Sequence, residues 1–187
     1  MSADEDSPRR AYVAALRHLA RRDHSEHELR GRLAEAGYGP GPIEAALSRL
    51  KAERLLDDNR FAAAFARSRL SGRGLGSLRI GAELRRRGVG REPIEAGLSQ
   101  ALADMPQREV VDEVICRLAR QSQRQPPERR LRRIWSALLR RGFPAALARE
   151  RLEVLKPAWR DMLESPAFDA PSEDEEARGG DRRDGGD

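Results

Sequence analysis

The sequence predicts an all-α protein, a tandem array of three three-helix, helix-turn-helix-like modules. Three observations carry that expectation. Gly76 to Val89 reads as a short helix: Ile80 and Leu84 stand four apart on one face, and Gly88 sits where a left-handed C-cap would end it. The pattern recurs: Leu29, Leu33, Gly37 and Tyr38 lie 51 residues before Ile80, Leu84, Gly88 and Val89, while Ile134, Leu138, Gly142 and Phe143 lie 54 residues after them. The register also survives the next loop, where Ile43, Leu47 and Leu50 match Ile94, Leu98 and Ala101, and then Ala148, Leu152 and Leu155. Seven aligned positions in three copies are the mark of an internal repeat. The expected organisation is a polar leader over 1–9, modules over 10–54, 55–104 and 105–158, and an acidic disordered tail over 159–187.

Each element has its own local signals. Tyr12, Ala15, Leu16 and Leu19 recur at three and four, predicting an amphipathic helix to about Arg22. Ser25 and Glu28 form a capping-box pattern for the second helix, which ends at Gly37. Pro42 is placed to open the third, with Ile43, Ala46, Leu47 and Leu50 inward. In the second module Asp57 caps a helix while Leu56 and Phe61 have the spacing of a hydrophobic staple. Ser71 to Gly76 reads as a flexible glycine-rich loop, Ser77 as the N-cap of the next helix, and Pro93 to Ala103 as the third. Met105-Pro106 marks a boundary, after which Val110, Val111, Val114 and Leu118 line a helix and Gln121 to Pro127 connects. Leu131, Ile134, Trp135 and Leu138 form the inward stripe of the module's second helix; Pro144 opens the third, which fades near Pro157.

The 187 residues carry a net charge of +5, unevenly spread. From Arg160 onward there are four Arg against ten Asp or Glu, a net of −6, which leaves 32 basic and 21 acidic residues, a net of +11, in Met1 to Trp159. A body so basic suits a polyanionic partner, nucleic acid or an assembly containing it. No apolar run approaches the ~20 residues that cross a bilayer, and Met1 to Pro8 has no signal-peptide core, so a cytoplasmic protein without membrane contact is expected.

A catalytic or metal site is hard to assemble. His18, His24 and His27 all fall in the first module; His24-x-x-His27 lacks further ligands at zinc spacing and reads as solvated helix-end histidines. Gly72-x-Gly74-x-Gly76 follows a helix instead of a strand and has no Lys-Ser/Thr after it, so it reads as a hinge, not a phosphate loop. Cys116 reads as a partly buried, inert thiol. No enzyme activity, cofactor or metal is expected. What remains is arginine. At about 100° per residue, Arg129, Arg132, Arg133 and Arg140 point away from the Leu131–Leu138 stripe. Arg79 and Arg86 share a flank of the second module's helix, Arg85 lies further round, and Arg87 and Arg91 crowd its C-terminal turn. These nine arginines are the candidate binding residues, for phosphate or for acidic groups on a protein. Few aromatics lie among them, which argues against base stacking.

These residues resemble a known family. Tyr12-x-x-Ala15-Leu16-x-x-Leu19-x-x-Arg22-x-x-Ser25-x-x-Glu28-Leu29 is similar to the opening module of the RecX family, regulators of the bacterial recombinase RecA. Asp58-Asn59-Arg60-Phe61-Ala62, then Gly76-Ser77-Leu78-Arg79-Ile80-x-x-Glu83-Leu84-x-x-Arg87-Gly88-Val89, resembles its most characteristic segment, and Arg140-Arg141-Gly142-Phe143 its third-module ending. The family usually has Glu where Asn59 stands and often Pro where Ser77 stands. The resemblance implies an elongated, curved array without enzymatic activity; nothing in the sequence suggests an obligate dimer, and a monomer is expected. It implies docking along the groove of the RecA–DNA filament, where such proteins damp ATP hydrolysis and strand exchange and favour filament loss, so regulating recombinational DNA repair and the SOS response. Multi-point docking, each module touching a filament subunit or DNA segment, would add weak contacts by avidity. A sequence-specific DNA reader fits less well, since Ile43-Glu44-Ala45-Ala46 and Ile94-Glu95-Ala96 are too acidic and aliphatic for a recognition helix. A general DNA- or RNA-binding protein acting without RecA stays open on charge.

Overall fold

The computed structural model describes residues 7–159, and the expected acidic tail therefore lies, past Trp159, outside the described residues. Among the described residues the chain forms nine α-helices and no strand. The helices run α1 Pro8–Leu19, α2 Glu26–Glu35 and α3 Pro40–Ala52, then α4 Asp58–Arg73, α5 Ser77–Arg86 and α6 Arg91–Asp104. They continue with α7 Gln107–Gln121, α8 Pro127–Arg140 and α9 Ala145–Leu155, followed by a 3-10 turn over Pro157–Trp159.

The repeat is clearest at the ends of the second helices. Gly37, Gly88 and Gly142 all adopt positive φ, at 88°, 72° and 80°. In each copy the glycine N–H donates to the carbonyl three residues back (Ala34, Arg85, Leu139) at 2.9 Å, and the next N–H reaches the carbonyl of Leu33, Leu84 or Leu138 at 3.2 Å. This is one Schellman motif made three times, and the residue after each glycine, Tyr38, Val89 or Phe143, turns inward.

Several start signals act as expected. The Ser25 hydroxyl accepts the Glu28 N–H at 3.1 Å, and Asp57 accepts the N–H groups of Asn59 and Arg60 at 2.8 and 3.2 Å. Others differ. Helix α3 opens at Pro40, since its missing N–H costs nothing at the first helical position, and Pro42 falls within the first turn. Helix α1 ends at Leu19 instead of near Arg22. Ser77 is the first residue of α5, whose N-cap is Gly76, and α4 extends through Arg73 to a left-handed cap at Gly74. The expected flexible loop thus shrinks to Gly74–Gly76, all three buried. Leu56 does not staple to Phe61; it joins the core of the first helix trio.

In each trio the first and third helices pack closely, which small side chains permit. Gly97 of α6 is so near α4 that a Cβ there would stand 2.7 Å from Ala62 Cβ and from the Ala63 backbone nitrogen. The apolar interior falls into two clusters. Ala15, Leu29, Leu33, Ile43, Leu47, Leu50 and Leu56 form the first trio's own core. The second and third trios share one, running from Phe61, Leu70 and Ile80 through Val111, Ile115 and Ile134 to Phe143 and Trp159. Sharing a core steadies modules whose individual cores are thin.

Candidate basic interface

The second helices α2, α5 and α8 meet end against end at two joints, and α5, with its C-cap Arg87, and α8 carry eight of the nine candidate arginines. At the first joint the start of α2 meets the end of α5. Ser25, fully buried, donates its hydroxyl hydrogen to the Arg87 carbonyl at 2.6 Å while capping α2. The Glu28 carboxylate binds both the Arg22 guanidinium, at 2.9 Å, and that of Arg87. Burial would raise the Glu28 pKa, but these arginines and the Ser25 N–H outweigh it and hold the group below the usual carboxylate range. Arg87 also lies over the Phe65 ring at 5.0 Å. A Cβ on Gly88 would strike the His27 ring at 2.2 Å, so only glycine fits there.

At the second joint the start of α5 meets the end of α8, mostly through backbone. Gly76 N–H donates to the Arg141 carbonyl at 2.8 Å and Leu78 N–H to the Gly142 carbonyl at 3.1 Å. Arg79 reaches the Arg140 carbonyl with Nη1 at 2.9 Å and Glu83 with Nε at 3.4 Å. Glu83 in turn accepts from Arg69 at 3.2 Å.

The nine candidate arginines therefore have different circumstances. Arg85 and Arg86 are exposed on the last turn of α5, and Arg129, Arg132, Arg133 and Arg140 are exposed on α8. Arg91 does not lie on the C-terminal turn of α5 as expected: the chain turns at Gly88–Gly90 and Arg91 opens α6, 88% exposed at its side chain, with an i,i+4 pair to Glu95 at 2.7 Å. Arg79 is exposed yet tied to the second joint, and Arg87 is half-buried inside the first. Periodicity alone places Arg87 on the surface because it cannot see Glu28, 59 residues away. It also misses Arg117 and Arg141, which gather with Arg79 and Arg140 at the second joint. The signal for Arg141 was in the repeat register, since it falls 54 residues after Arg87.

Two minor expectations are corrected. His24 is buried, not solvated: its Nδ1 lies 2.9 Å from the Arg22 carbonyl oxygen, and burial pushes its pKa down. Cys116 is exposed instead of partly buried, because it faces away from the Val110–Val114–Leu118 stripe. Among the described residues no group of three or more His, Cys, Asp or Glu is placed to hold a metal ion, and no helix is long and apolar enough to cross a membrane.

The model of the RecX first three-helix domain matches residues 11–50, and that of the RecX second three-helix domain matches residues 57–98. A regulatory protein RecX of Thermobifida fusca is 38% identical over 159 residues, covering 81% of this chain and 84% of the relative. The chain belongs to the RecX family. The regulatory protein RecX of Halorhodospira halophila is 48% identical over 91 residues, 49% of this chain and 56% of that protein. That of Geobacillus kaustophilus is 34% identical over 139 residues, 74% of this chain and 51% of that protein, so the chain spans about half the length of several relatives it matches. A crystal structure of regulatory protein RecX superposes with a TM-score of 0.71 at 26% identity over 83% of this chain and 75% of that one. The RecX fold of Lactobacillus salivarius superposes with a TM-score of 0.74 at 20% identity, covering 82% of this chain and 99% of the other. Both superpositions extend well past residue 98, so the RecX architecture takes in the third helix trio.

Proposed function

We propose that this chain is a non-enzymatic modulator, chiefly an inhibitor, of the RecA recombinase, docking along the groove of the RecA–DNA filament. There it damps ATP hydrolysis and strand exchange and promotes disassembly, acting in the cytoplasm on recombinational repair and the SOS response. Membership in the RecX family supports the regulatory role. The observation that supports the mode of action is the meeting of α2, α5 and α8 end against end, which sets three copies of one structural repeat in succession, each able to touch a subunit of a filament. Arg85 and Arg86 on α5, Arg129, Arg132, Arg133 and Arg140 on α8, and Arg91 at the start of α6 supply the exposed charge for phosphate or for acidic groups of the filament, with Arg79 at the second joint. Arg87 serves by holding the first joint. The working units are the modules 10–54, 55–104 and 105–158, and the chain acts as a monomer.

Co-sedimentation tests this. Cognate RecA filaments on single-stranded DNA are pelleted with the chain, and the same DNA without RecA serves as the reference. The chain is expected to pellet with filaments at salt concentrations where it leaves naked DNA. Equal recovery on both would replace the proposal with a nucleic-acid-binding protein acting without RecA.

A further inference from the structure

The three second helices are equivalent in position and unequal in charge. Helix α2 carries two Arg against three Glu, a net of −1; α5 carries three Arg against one Glu, +2; α8 carries five Arg against one Glu, +4. The arginines of α2 are met by glutamates of the first trio, Arg30 by Glu26 and Glu44 and Arg32 by Glu35. On α8 the exposed Arg129, Arg132, Arg133, Leu139 and Arg140 share one arc opposite the buried stripe of Leu131, Ile134 and Leu138. Leu139 is thus an apolar residue, 40% exposed, set among guanidinium groups. The sequence beyond Trp159 has the complementary pattern. Residues 161–177 contain seven Asp or Glu and no Lys or Arg, with Met162, Leu163 and Phe168 among them, whereas 178–187 hold three Arg against three Asp. The described residues end beside α8: Trp159 is buried, and the Arg130 guanidinium lies 5.2 Å from its ring centre. Leu139 is nine residues along the helix from Arg130, about 14 Å. Phe168 is nine residues along the chain from Trp159, and an extended chain of that length covers up to about 30 Å.

We propose that the acidic segment 161–176 docks on the exposed arc of α8 in the same chain, with its carboxylates against Arg129, Arg132, Arg133 and Arg140 and Phe168 over Leu139. The segment is then a built-in competitor that any anionic partner of this arc must displace. Tethering makes the segment of the same chain the favoured occupant: a short linker holds it at an effective concentration in the millimolar range, so a contact too weak to capture a free peptide is still occupied. Single exposed ion pairs contribute little, so occupancy depends on several acting together beside one apolar anchor, and salt releases it. The docking rests on this chain alone; its consequence for access to a filament rests on the proposed function.

The test is paramagnetic relaxation enhancement on the full chain, with a nitroxide attached to A170C in a C116S background, which removes the only other cysteine. Amide signals of α8 between 132 and 140 are expected to lose about half their intensity or more at ~50 mM salt, and to regain it at ~1 M, where the Debye length falls to ~3 Å. R129Q/R133Q, at exposed positions, should abolish the broadening, as should E173Q/D174N/E175Q/E176Q in the segment itself. R21Q/R32Q, which removes the same charge from exposed positions of the first trio, should leave it intact. Undisturbed α8 signals, broadening equally strong over α1–α3, or broadening that survives R129Q/R133Q or ~1 M salt would overturn the proposal. So would equal broadening when spin-labelled chain without isotope is mixed with isotope-labelled chain without the nitroxide, since the occupant would then be a second copy. Because neither recombinase nor nucleic acid is present, each of these outcomes is separate from failure of the filament proposal.

Discussion

Replacing Gly76 by alanine isolates the second joint. Gly76 has φ −85° and ψ 163°, an extended conformation that alanine adopts freely, so the backbone itself resists nothing. The obstacle is the neighbouring helix end: the new Cβ would stand 2.2 Å from the Gly142 oxygen, 2.3 Å from its carbonyl carbon and 2.4 Å from the Phe143 nitrogen. These are backbone atoms and cannot swing aside as a side chain would, so α5 and α8 must separate by roughly an ångström. Separation breaks the bonds from Gly76, Leu78 and Arg79 to the carbonyls of Arg141, Gly142 and Arg140. At about 1 kcal/mol each the loss is ~3 kcal/mol, at the top of the usual range for overpacking. For a chain of this size that lowers the melting temperature by about 6–12 °C. The assay is thermal unfolding followed by circular dichroism, with Gly72→Ala as control, since a Cβ there meets nothing within 4 Å and should stabilise α4 by about 0.5–1 kcal/mol. A Gly76→Ala protein melting within about 1 °C of the parent would refute the stacked joint.

Other perturbations have equally definite outcomes. Glu28→Gln leaves Arg87 half-buried without its counter-ion and should cost about 1–2 kcal/mol in urea unfolding at neutral pH. Because the Glu28 pKa is depressed by folding, its contribution is complete above the unfolded value near ~4.3 and disappears as pH falls through the lower folded value. The gap between Glu28→Gln and the parent should therefore close in acid. His24 also has a lowered pKa, but a histidine so shifted favours its neutral form in the fold. Its contribution is complete above about 6.5 and falls as pH drops through the lower folded value, and His24→Gln should flatten the stability profile below about 6.5. Gly97→Ala, pressing on Ala62 and Ala63, should cost about 1–3 kcal/mol by the same urea assay.

The sequence carried the fold in its repeat. Leu29, Ile80 and Ile134, with Leu33, Leu84 and Leu138, are all fully buried, and the three glycines that follow them all have positive φ. These features follow from helix periodicity and local backbone chemistry, which act within a few residues. The joints were not legible for the same reason. Ser25 meets Arg87 across 62 residues of chain, and Arg79 meets Arg140 across 61. Periodicity assigns a side chain to a helix face but does not say that the end of one helix will cover it, which is why Arg87 reads as surface and His24 as solvated. The glycine-rich Gly74–Gly76 stretch misled in the opposite sense: glycine marked close backbone approach, not freedom to move.

The most direct test of filament regulation is the DNA-dependent ATPase rate of the cognate RecA, preassembled on single-stranded DNA, with the chain added at substoichiometric amounts. Strong inhibition by the parent, relieved when Arg129, Arg132 and Arg133 are changed to Ala, is the expected result and places part of the contact on α8. An unchanged ATPase rate, with the chain still binding free DNA in a salt-sensitive way, would contradict filament docking.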